Sequence, residues 1–243
     1  TREQLRKHTP GLPACDKYQR NHCDTTRIVE NKDVLNWLLT QPKPNFKPGE
    51  KFKYSNTAYV MLALIVEKAG GMQFSSYAKK HVFQPLGMDS TNYFSPANPV
   101  KIPERALCYE QDSTGNYENK DGFFMNGIMG DGAVYTSIND YYHYDIALRK
   151  KTFLSEATQE LLFKPSSTQK KNGRDRYYAM GWSVTDTTAY HTGGWLGARA
   201  FVIRYLNKPL TVAIFMNTDT LFTKGLIDET LKLTQTYLNE SSE

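Results

Sequence analysis

The hydrophobic and polar positions predict a helical first part of the chain. Apolar residues recur at helical spacing from Asp33 to Leu39, with Asn31 as the expected N-cap. From Asn56 to Ala69 apolar side chains cover every face, which predicts a helix buried on all sides. Shorter helices are expected over residues 74–83 and 137–148, and the second of them begins in a capping-box pattern.

The pattern changes near residue 175, where β-branched and aromatic residues begin to alternate with polar ones. One stripe of apolar residues over 226–238 then predicts a final helix. The fold class expected is α+β in a single domain, residues 1–243. Residues 1–175 would be mostly helix and loop, and residues 176–243 an antiparallel sheet with the last helix packed on it. The strands expected are Tyr177–Thr185, Thr188–His191, Arg199–Leu206 and Leu210–Asn217.

Composition excludes several classes of function. The 243 residues are 40% hydrophobic and carry a net charge of only +5, spread thinly along the chain, which argues against nucleic-acid binding. No stretch approaches the ~20 apolar residues that a membrane-spanning helix needs, so no transmembrane segment is predicted. We expect no cofactor.

The three cysteines are too few for a disulfide scaffold. Cys15 and Cys23 flank a short polar loop and are candidates for a local bridge, which would indicate an oxidising compartment. Cys108 would stay unpaired or pair outside this chain. The spacing of His8, His22 and the cysteines matches no standard zinc pattern, so no metal site is predicted.

Two short motifs are candidates for chemistry. Tyr54 and Asn56 flank Ser55 just before the buried helix, which would hold their side chains rigidly. The stretch His191-Thr192-Gly193-Gly194 ends a predicted strand in two glycines, where backbone amides can approach a ligand closely. Either motif alone occurs often by chance.

Together and in this order, the two motifs resemble the second and third motifs of the class C β-lactamases and the related D-alanyl-D-alanine carboxypeptidases, D-aminopeptidases and esterases. Further segments resemble the same family in family order, with Asp131 and Ala133 as departures. These segments are His8-Thr9-Pro10-Gly11-Leu12-Pro13, Phe46 to Asn56, Pro85-Leu86-Gly87-Met88, Gly130 to Asp140 and Met180-Gly181-Trp182.

The family's first motif, S-x-x-K, supplies the nucleophilic serine and precedes the segment that begins at His8. The resemblance therefore implies that this chain is the C-terminal two-thirds or so of such a protein, lacks the first strands and the nucleophile helix, and is inactive alone. An unpaired sheet edge would then favour association. Two S-x-x-K strings, Ser76 to Lys79 on a surface helix and Ser167 to Lys170 in a polar loop, follow Tyr54 and are interpreted as decoys.

What the resemblance implies for the site is acyl transfer through an acyl-serine. Tyr54, with its pKa lowered by neighbouring cations, would move the proton, and Asn56 would orient the substrate carbonyl. Gly194 would donate its backbone N–H to the oxyanion. Thr192 would bind a substrate carboxylate, with Ser55 and Gly193 as further substrate-binding positions.

His191 stands where class C β-lactamases usually carry lysine. An imidazole offers a weaker fixed positive charge than lysine, which shifts the expectation from β-lactams toward esters and D-amino-acid peptides. The resemblance implies a periplasmic or secreted protein with a small-molecule or peptide substrate. The alternative is a non-catalytic member of the fold that binds peptide-like ligands, or an inactive fragment.

Overall fold

The computed structural model of the chain describes residues 1–15, 24–171, 174–220 and 224–240. Helices dominate its first part and a six-stranded sheet its second. The helices are α1 (Arg2–Arg6), α2 (Asn31–Leu39), α3 (Asn56–Gly70), α4 (Phe74–Ala78), α5 (Ile138–Arg149), α6 (Glu156–Phe163) and α7 (Lys224–Glu240). The strands are β1 (Asn92–Tyr93), β2 (Tyr109–Gln111), β3 (Tyr117–Asn119), β4 (Val134–Tyr135), β5 (Ser167–Lys171), β6 (Arg174–Tyr178), β7 (Ser183–Val184), β8 (Thr188–Trp195), β9 (Ala198–Tyr205) and β10 (Thr211–Met216).

Helix α3 is the centre of the helical part. The Ser55 hydroxyl caps its first turn by accepting the Ala58 N–H, and Gly71 ends it in the left-handed conformation. Helices α1, α2 and α4 all pack against α3, which explains why apolar residues cover so much of its surface. The core beside it contains the buried side chains of Val34, Trp37, Val60, Met61, Met125 and Ile128.

The main sheet is antiparallel throughout, in the spatial order β10-β9-β8-β7-β6-β5. Strand β8 pairs with β9 along its whole length, whereas β7 pairs only with Ala189 and Tyr190. Among the described residues, His191–Trp195 therefore have a strand neighbour on one side only. This open stretch of β8 lies beside the helical part.

Alternation along β8 defines which face of the sheet the helices cover. Ala189 is buried in a cluster with Val202, the residue that pairs with His191 across β9. Tyr141 of α5 and Phe163 of α6 pack against this cluster. The face that carries Ala189, His191, Gly193 and Trp195 is thus the inner face, toward the helices.

Antiparallel strands, the mixed α+β composition and the final helix confirm the predicted fold class. Several boundaries differ from the prediction. The stretch predicted as one strand from Tyr177 to Thr185 breaks at Gly181, whose φ of 84° takes the chain out of the strand. Strand β8 continues through its glycines to Trp195, because β9 supplies a partner for every residue.

The sheet also begins earlier than expected. Ser167–Lys171 form β5 rather than a polar loop, so the first strand precedes the division proposed at residue 175. The division of the single domain into two parts stays a prediction. In the described chain β10 and β5 are the outer strands, and the expected association through a sheet edge likewise stays a prediction.

The N-cap predicted for α2 is wrong by one residue. Glu30 is the N-cap, and it shares a reciprocal capping box with Asp33. Asn31 is instead the first helical residue, and its buried amide exchanges two hydrogen bonds with the backbone of Met129, at 2.8 and 3.0 Å. The amide thereby ties α2 to the turn that precedes β4.

Of the three cysteines, the structure describes Cys15 and Cys108. Cys108 is buried, with its Sγ 3.8 Å from the Tyr135 hydroxyl, and burial raises the pKa of its thiol. Cys15 is buried as well, but the bridge predicted to Cys23 lies outside the described residues. None of the helices in the described ranges has the length and apolar character needed to cross a bilayer.

A buried charge cluster joins α5 to the sheet. Asp145 accepts hydrogen bonds from Arg149 at 2.7 Å, from the Thr211 hydroxyl at 2.7 Å, and from Arg204. Arg149 also donates to the carbonyls of Lys208 and Leu210 at 2.9 and 2.7 Å. One carboxylate thus holds a helix and two strands in a fixed arrangement.

Replacing Asp145 with alanine is expected to destabilise the chain by about 3–5 kcal/mol, because it leaves the buried Arg204 guanidinium without its counter-charge. The measurement is urea unfolding of the purified chain. The matched control is Glu229→Gln, which breaks an exposed ion pair with Lys232 and should cost less than about 1 kcal/mol. Equal effects of the two substitutions would contradict the role assigned to Asp145.

Candidate active site

The imidazole of His8 lies where the helical part meets the sheet. It is fully buried, at 0% exposure, and its ring centroid lies 4.3 Å from that of Tyr54, 4.9 Å from Tyr59 and 4.7 Å from Tyr178. These aromatic residues come from the segment before α3, from α3 itself and from β6. His8 therefore contacts all three of these elements.

A hydrogen bond fixes the protonation of His8. The backbone N–H of Ser55 donates to His8 Nδ1 at 3.0 Å, so this nitrogen carries no proton. Burial, and secondarily the proximity of His191, lower the pKa of His8 to about 4. The ring is neutral at pH 7 and acts as a hydrogen-bond acceptor for the segment that carries Tyr54.

Tyr54 reaches toward the sheet from this segment. The residue is 48% exposed, and its ring lies 6.3 Å from the ring of His191, centroid to centroid. Two residues that are 137 positions apart in sequence therefore lie side by side where the helical part meets the sheet.

The electrostatics of Tyr54 differ from the prediction. Partial burial of the ring, followed by the proximity of Tyr59 and Asp131, raises the pKa of Tyr54 instead of lowering it. The lowering by neighbouring cations expected from the sequence is wrong for the described residues. Tyr54 is a protonated phenol at neutral pH in this arrangement.

His191 lies on the inner face of β8, and burial lowers the pKa of its imidazole. A lowered pKa keeps the ring neutral at pH 7. The two imidazoles beside Tyr54 therefore bring no fixed positive charge to the site.

The other two residues of the first motif have different surroundings. Asn56 is the first residue of α3 and is exposed, as a substrate-orienting amide must be. Ser55 is buried, and its hydroxyl accepts the Ala58 N–H at 3.2 Å as the N-cap of α3. The structure thus gives Ser55 a structural role, and a direct contact with substrate stays a prediction.

The glycines of the second motif lie on the open stretch of β8. Thr192, Gly193 and Gly194 are all exposed. Alternation directs the Thr192 side chain to the face opposite His191, while Gly193 is on the inner face with no side chain to fill it. The roles assigned to Thr192 and to the Gly194 N–H stay predictions.

Sequence reasoning missed Asp131 as a residue of this region. It follows Gly130, whose φ is 104° and where an added Cβ would lie 2.7 Å from the Ala63 Cβ, so the turn packs directly on α3. Burial raises the pKa of the Asp131 carboxyl to about 6. The departure from the family pattern at this position was its only sequence signal.

His8, Tyr59 and Tyr178 were also missed as parts of the site. His8 stands in a segment noted only as a family landmark, and a tyrosine on a helix or strand carries no sequence sign of a cleft. Of the two S-x-x-K strings, the second borders this cluster, because Ser167 pairs with Tyr178 across β5 and β6. Ser76 and Lys79 are exposed on α4 and the turn after it, and the Ser167 hydroxyl donates to the Lys7 carbonyl at 3.2 Å.

The arrangement offers a phenol, a neutral imidazole, an amide and an open strand edge, which are groups suited to proton transfer and carbonyl recognition. In the described ranges, histidine, cysteine and acidic side chains form no group of three that would hold a metal ion.

Comparison with known proteins places this site in a family context. The family model described as Beta-lactamase matches residues 1–235. Penicillin-binding protein 4* of Bacillus subtilis (strain 168) is 32% identical over 232 residues, covering 89% of this chain and 51% of the relative. The human protein named serine beta-lactamase-like protein LACTB, mitochondrial, is 26% identical, covering 75% of this chain and 36% of the relative. The chain spans about half or less of the length of these relatives.

Solved structures share the fold. A penicillin binding protein from Bacillus halodurans superposes with a TM-score of 0.81 at 24% identity, covering 94% of this chain and 71% of that one. A D-amino acid amidase from Ochrobactrum anthropi SV3, solved with L-phenylalanine, superposes with a TM-score of 0.80 at 17% identity, covering 99% and 71%. At these identities the likeness concerns the fold alone.

The lowered pKa of His8 predicts a pH-dependent stability. Between about pH 4 and 6.5 the unfolded imidazole binds a proton that the folded one excludes. The stability contribution is therefore complete above pH 6.5 and is lost as the pH falls toward 4, by about 3 kcal/mol in all. Urea unfolding of the chain at several pH values measures this slope.

The variant for this test is His8→Asn, because an asparagine amide oxygen can accept the Ser55 N–H and tolerates the φ of 55° at this position. His8→Asn should flatten the acid slope relative to the unsubstituted chain. The control, His81→Asn, removes an exposed imidazole and should leave the slope unchanged. An unaltered slope in His8→Asn would show that His8 is not the titrating group.

Proposed function

The chain belongs to the Beta-lactamase family of serine hydrolases, and from that membership we propose that it forms the Tyr54 and His191 side of an acyl-serine hydrolase site. The observation that carries the proposal is the 6.3 Å approach of the Tyr54 and His191 rings across the junction of helices and sheet. These two residues are distant in sequence, and they belong to the segments that resemble the family's second and third motifs.

The proposed mechanism assigns one step to each group. Tyr54 transfers the proton between the nucleophile and the leaving group, and the exposed Asn56 amide orients the substrate carbonyl. The Gly194 N–H, on the open edge of β8, donates to the oxyanion. The serine is supplied by an S-x-x-K segment ahead of His8 in the whole protein. The lysine of that segment supplies the cation that lowers the pKa of Tyr54, which the described residues raise.

The substrate class proposed is D-amino-acid amides and peptides or small esters. A neutral His191 offers less to the carboxylate of a β-lactam than a lysine would. The structural neighbours include D-amino acid amidases, and the curated relatives include proteins named putative D-alanyl-D-alanine carboxypeptidase. We propose a periplasmic or secreted location on the same family grounds.

One observation favours a second candidate, a non-catalytic domain that binds peptide-like ligands. The described residues keep Tyr54 protonated, and a protonated phenol is a hydrogen-bond donor rather than a base. A binding domain would retain affinity for D-amino-acid amides without turnover, so measurements of binding and of hydrolysis on the whole protein separate the two candidates.

Replacing Tyr54 with phenylalanine in the full-length protein should lower kcat for a D-alanyl p-nitroanilide about 100-fold or more, with a smaller change in KM, because proton transfer loses its group. Steady-state kinetics measure this. Tyr142→Phe alters an exposed tyrosine on α5 and serves as the matched control. Ser76→Ala and Ser167→Ala should also leave kcat unchanged. A kcat in Tyr54→Phe equal to that of the control would exclude Tyr54 from the proton transfer.

Replacing His191 with lysine should raise kcat/KM for an anionic cephalosporin about tenfold relative to a short uncharged ester, since an ammonium forms a charge-assisted hydrogen bond to the carboxylate. The unsubstituted protein should prefer the ester or a D-alanyl amide. The ratio of the two kcat/KM values, measured in both proteins, tests the proposal. An unchanged ratio would mean that the side chain at position 191 does not bind the substrate carboxylate.

A further inference from the structure

The inner face of β8 leaves a gap next to His191. Gly193 and Trp195 follow His191 on this face, and strand geometry puts Trp195 about 13 Å beyond His191. Gly193 has no side chain, so nothing rises from the strand between the two rings. An added Cβ at Gly193 would meet only the Ala200 Cβ, at 3.4 Å, so the space over Gly193 is open and starts beside the proposed reacting centre.

The indole of Trp195 is held in one orientation at the far end of this gap. Its Nε1 donates to Asn126 Oδ1 at 2.8 Å, and Asn126 Nδ2 donates to the carbonyls of Lys120 and Asp121, both at 2.9 Å. The ring of Phe123 meets the indole edge to face at a centroid distance of 6.2 Å. The residue is nevertheless 48% exposed, so Trp195 remains available for contact.

The turn that follows Trp195 is fixed as well. Gly197 has a φ of 81°, and an added Cβ would lie 2.3 Å from the Tyr109 carbonyl oxygen, so this turn packs directly on the β2 backbone. A rigid, half-exposed aromatic wall loses little conformational entropy when a ligand packs on it. The other two tryptophans, Trp37 and Trp182, are buried in the cores.

We propose that Trp195, together with Phe123, forms a subsite for an apolar side chain of the substrate, with aromatic side chains preferred. Trp195 is then a specificity-determining residue: the substrate side chain lies over Gly193 and packs on the indole. The inference rests on the proposed function and deepens it by naming the side-chain class of the acyl group.

The competing explanation is that Trp195 only fastens the loop 120–127 to β8. Two substitutions distinguish these roles. Trp195→Phe keeps an aromatic wall but loses the hydrogen bond to Asn126, whereas Trp195→Ala loses both. If Trp195 only held the loop in place, both substitutions would lower kcat/KM equally, and by the same factor for every substrate.

The experiment compares kcat/KM for the p-nitroanilides of D-phenylalanine and D-alanine in the full-length protein. Trp195→Ala should lower the ratio of the D-phenylalanine to the D-alanine value about tenfold, and Trp195→Phe should keep it within about threefold. The control, Tyr142→Ala, removes an exposed aromatic residue of α5 and should not change the ratio. A ratio unchanged in Trp195→Ala would overturn the proposal.

Calorimetric titration with D-phenylalaninamide and D-alaninamide gives a readout that does not depend on turnover. Tighter binding of the aromatic amide that is lost in Trp195→Ala supports the subsite, even in a protein that hydrolyses neither substrate. In that case the proposed hydrolysis fails and the subsite stands. Equal affinities for both amides, or a preference that survives Trp195→Ala, would refute the subsite.

Discussion

The buried ring of His8 is the contact on which the site depends. It accepts the Ser55 N–H, packs between Tyr54 and Tyr59, and meets Tyr178 from the sheet. The surrounding backbone reinforces the same junction, because the His8 carbonyl accepts the Lys53 N–H at 2.8 Å. An apolar ring of similar size would fill the space but leave the Ser55 N–H buried without an acceptor, which costs about 1–3 kcal/mol. Only a neutral imidazole both fills the core and holds the segment that carries Tyr54.

A second junction makes the sheet a fixed partner for that segment. Asp145, on α5, binds Arg204 of β9 and Thr211 of β10. Arg204 lies on the inner face of the sheet, the face that also carries His191 of β8. Buried ion pairs add little net stability but define geometry, since a displaced partner would leave a charge unpaired. The His8 cluster and the Asp145 cluster together determine the spacing between helices and sheet, and therefore the distance between the Tyr54 and His191 rings.

The architecture and the two candidate motifs could be predicted from the sequence, because the sequence retains both the periodicity of buried residues and an ordered set of family segments. It did not reveal what surrounds those motifs. A pattern of apolar residues could not show that β8 would run through Gly193 and Gly194, since pairing with β9 overrides the weak strand propensity of glycine. Nor could it predict the pKa of Tyr54, which is raised first by burial and then by Tyr59 and Asp131. Asp131 comes near Tyr54 only because the turn at Gly130 packs on α3.

Histidine rather than lysine at position 191 is consistent with these surroundings. His8 and His191 lie close enough that a charge on the second lowers the pKa of the first. A permanent ammonium at position 191 would lower the pKa of His8 further and would put a fixed charge beside this buried ring. With imidazoles at both positions, the histidines beside Tyr54 carry no positive charge at pH 7, whereas Asp131, whose pKa burial raises to about 6, is mostly ionised. Without a fixed cation, affinity for a substrate comes from shape and apolar contact more than from attraction of an anionic group. The half-exposed indole of Trp195, on the same strand face as His191, offers a surface for such contact.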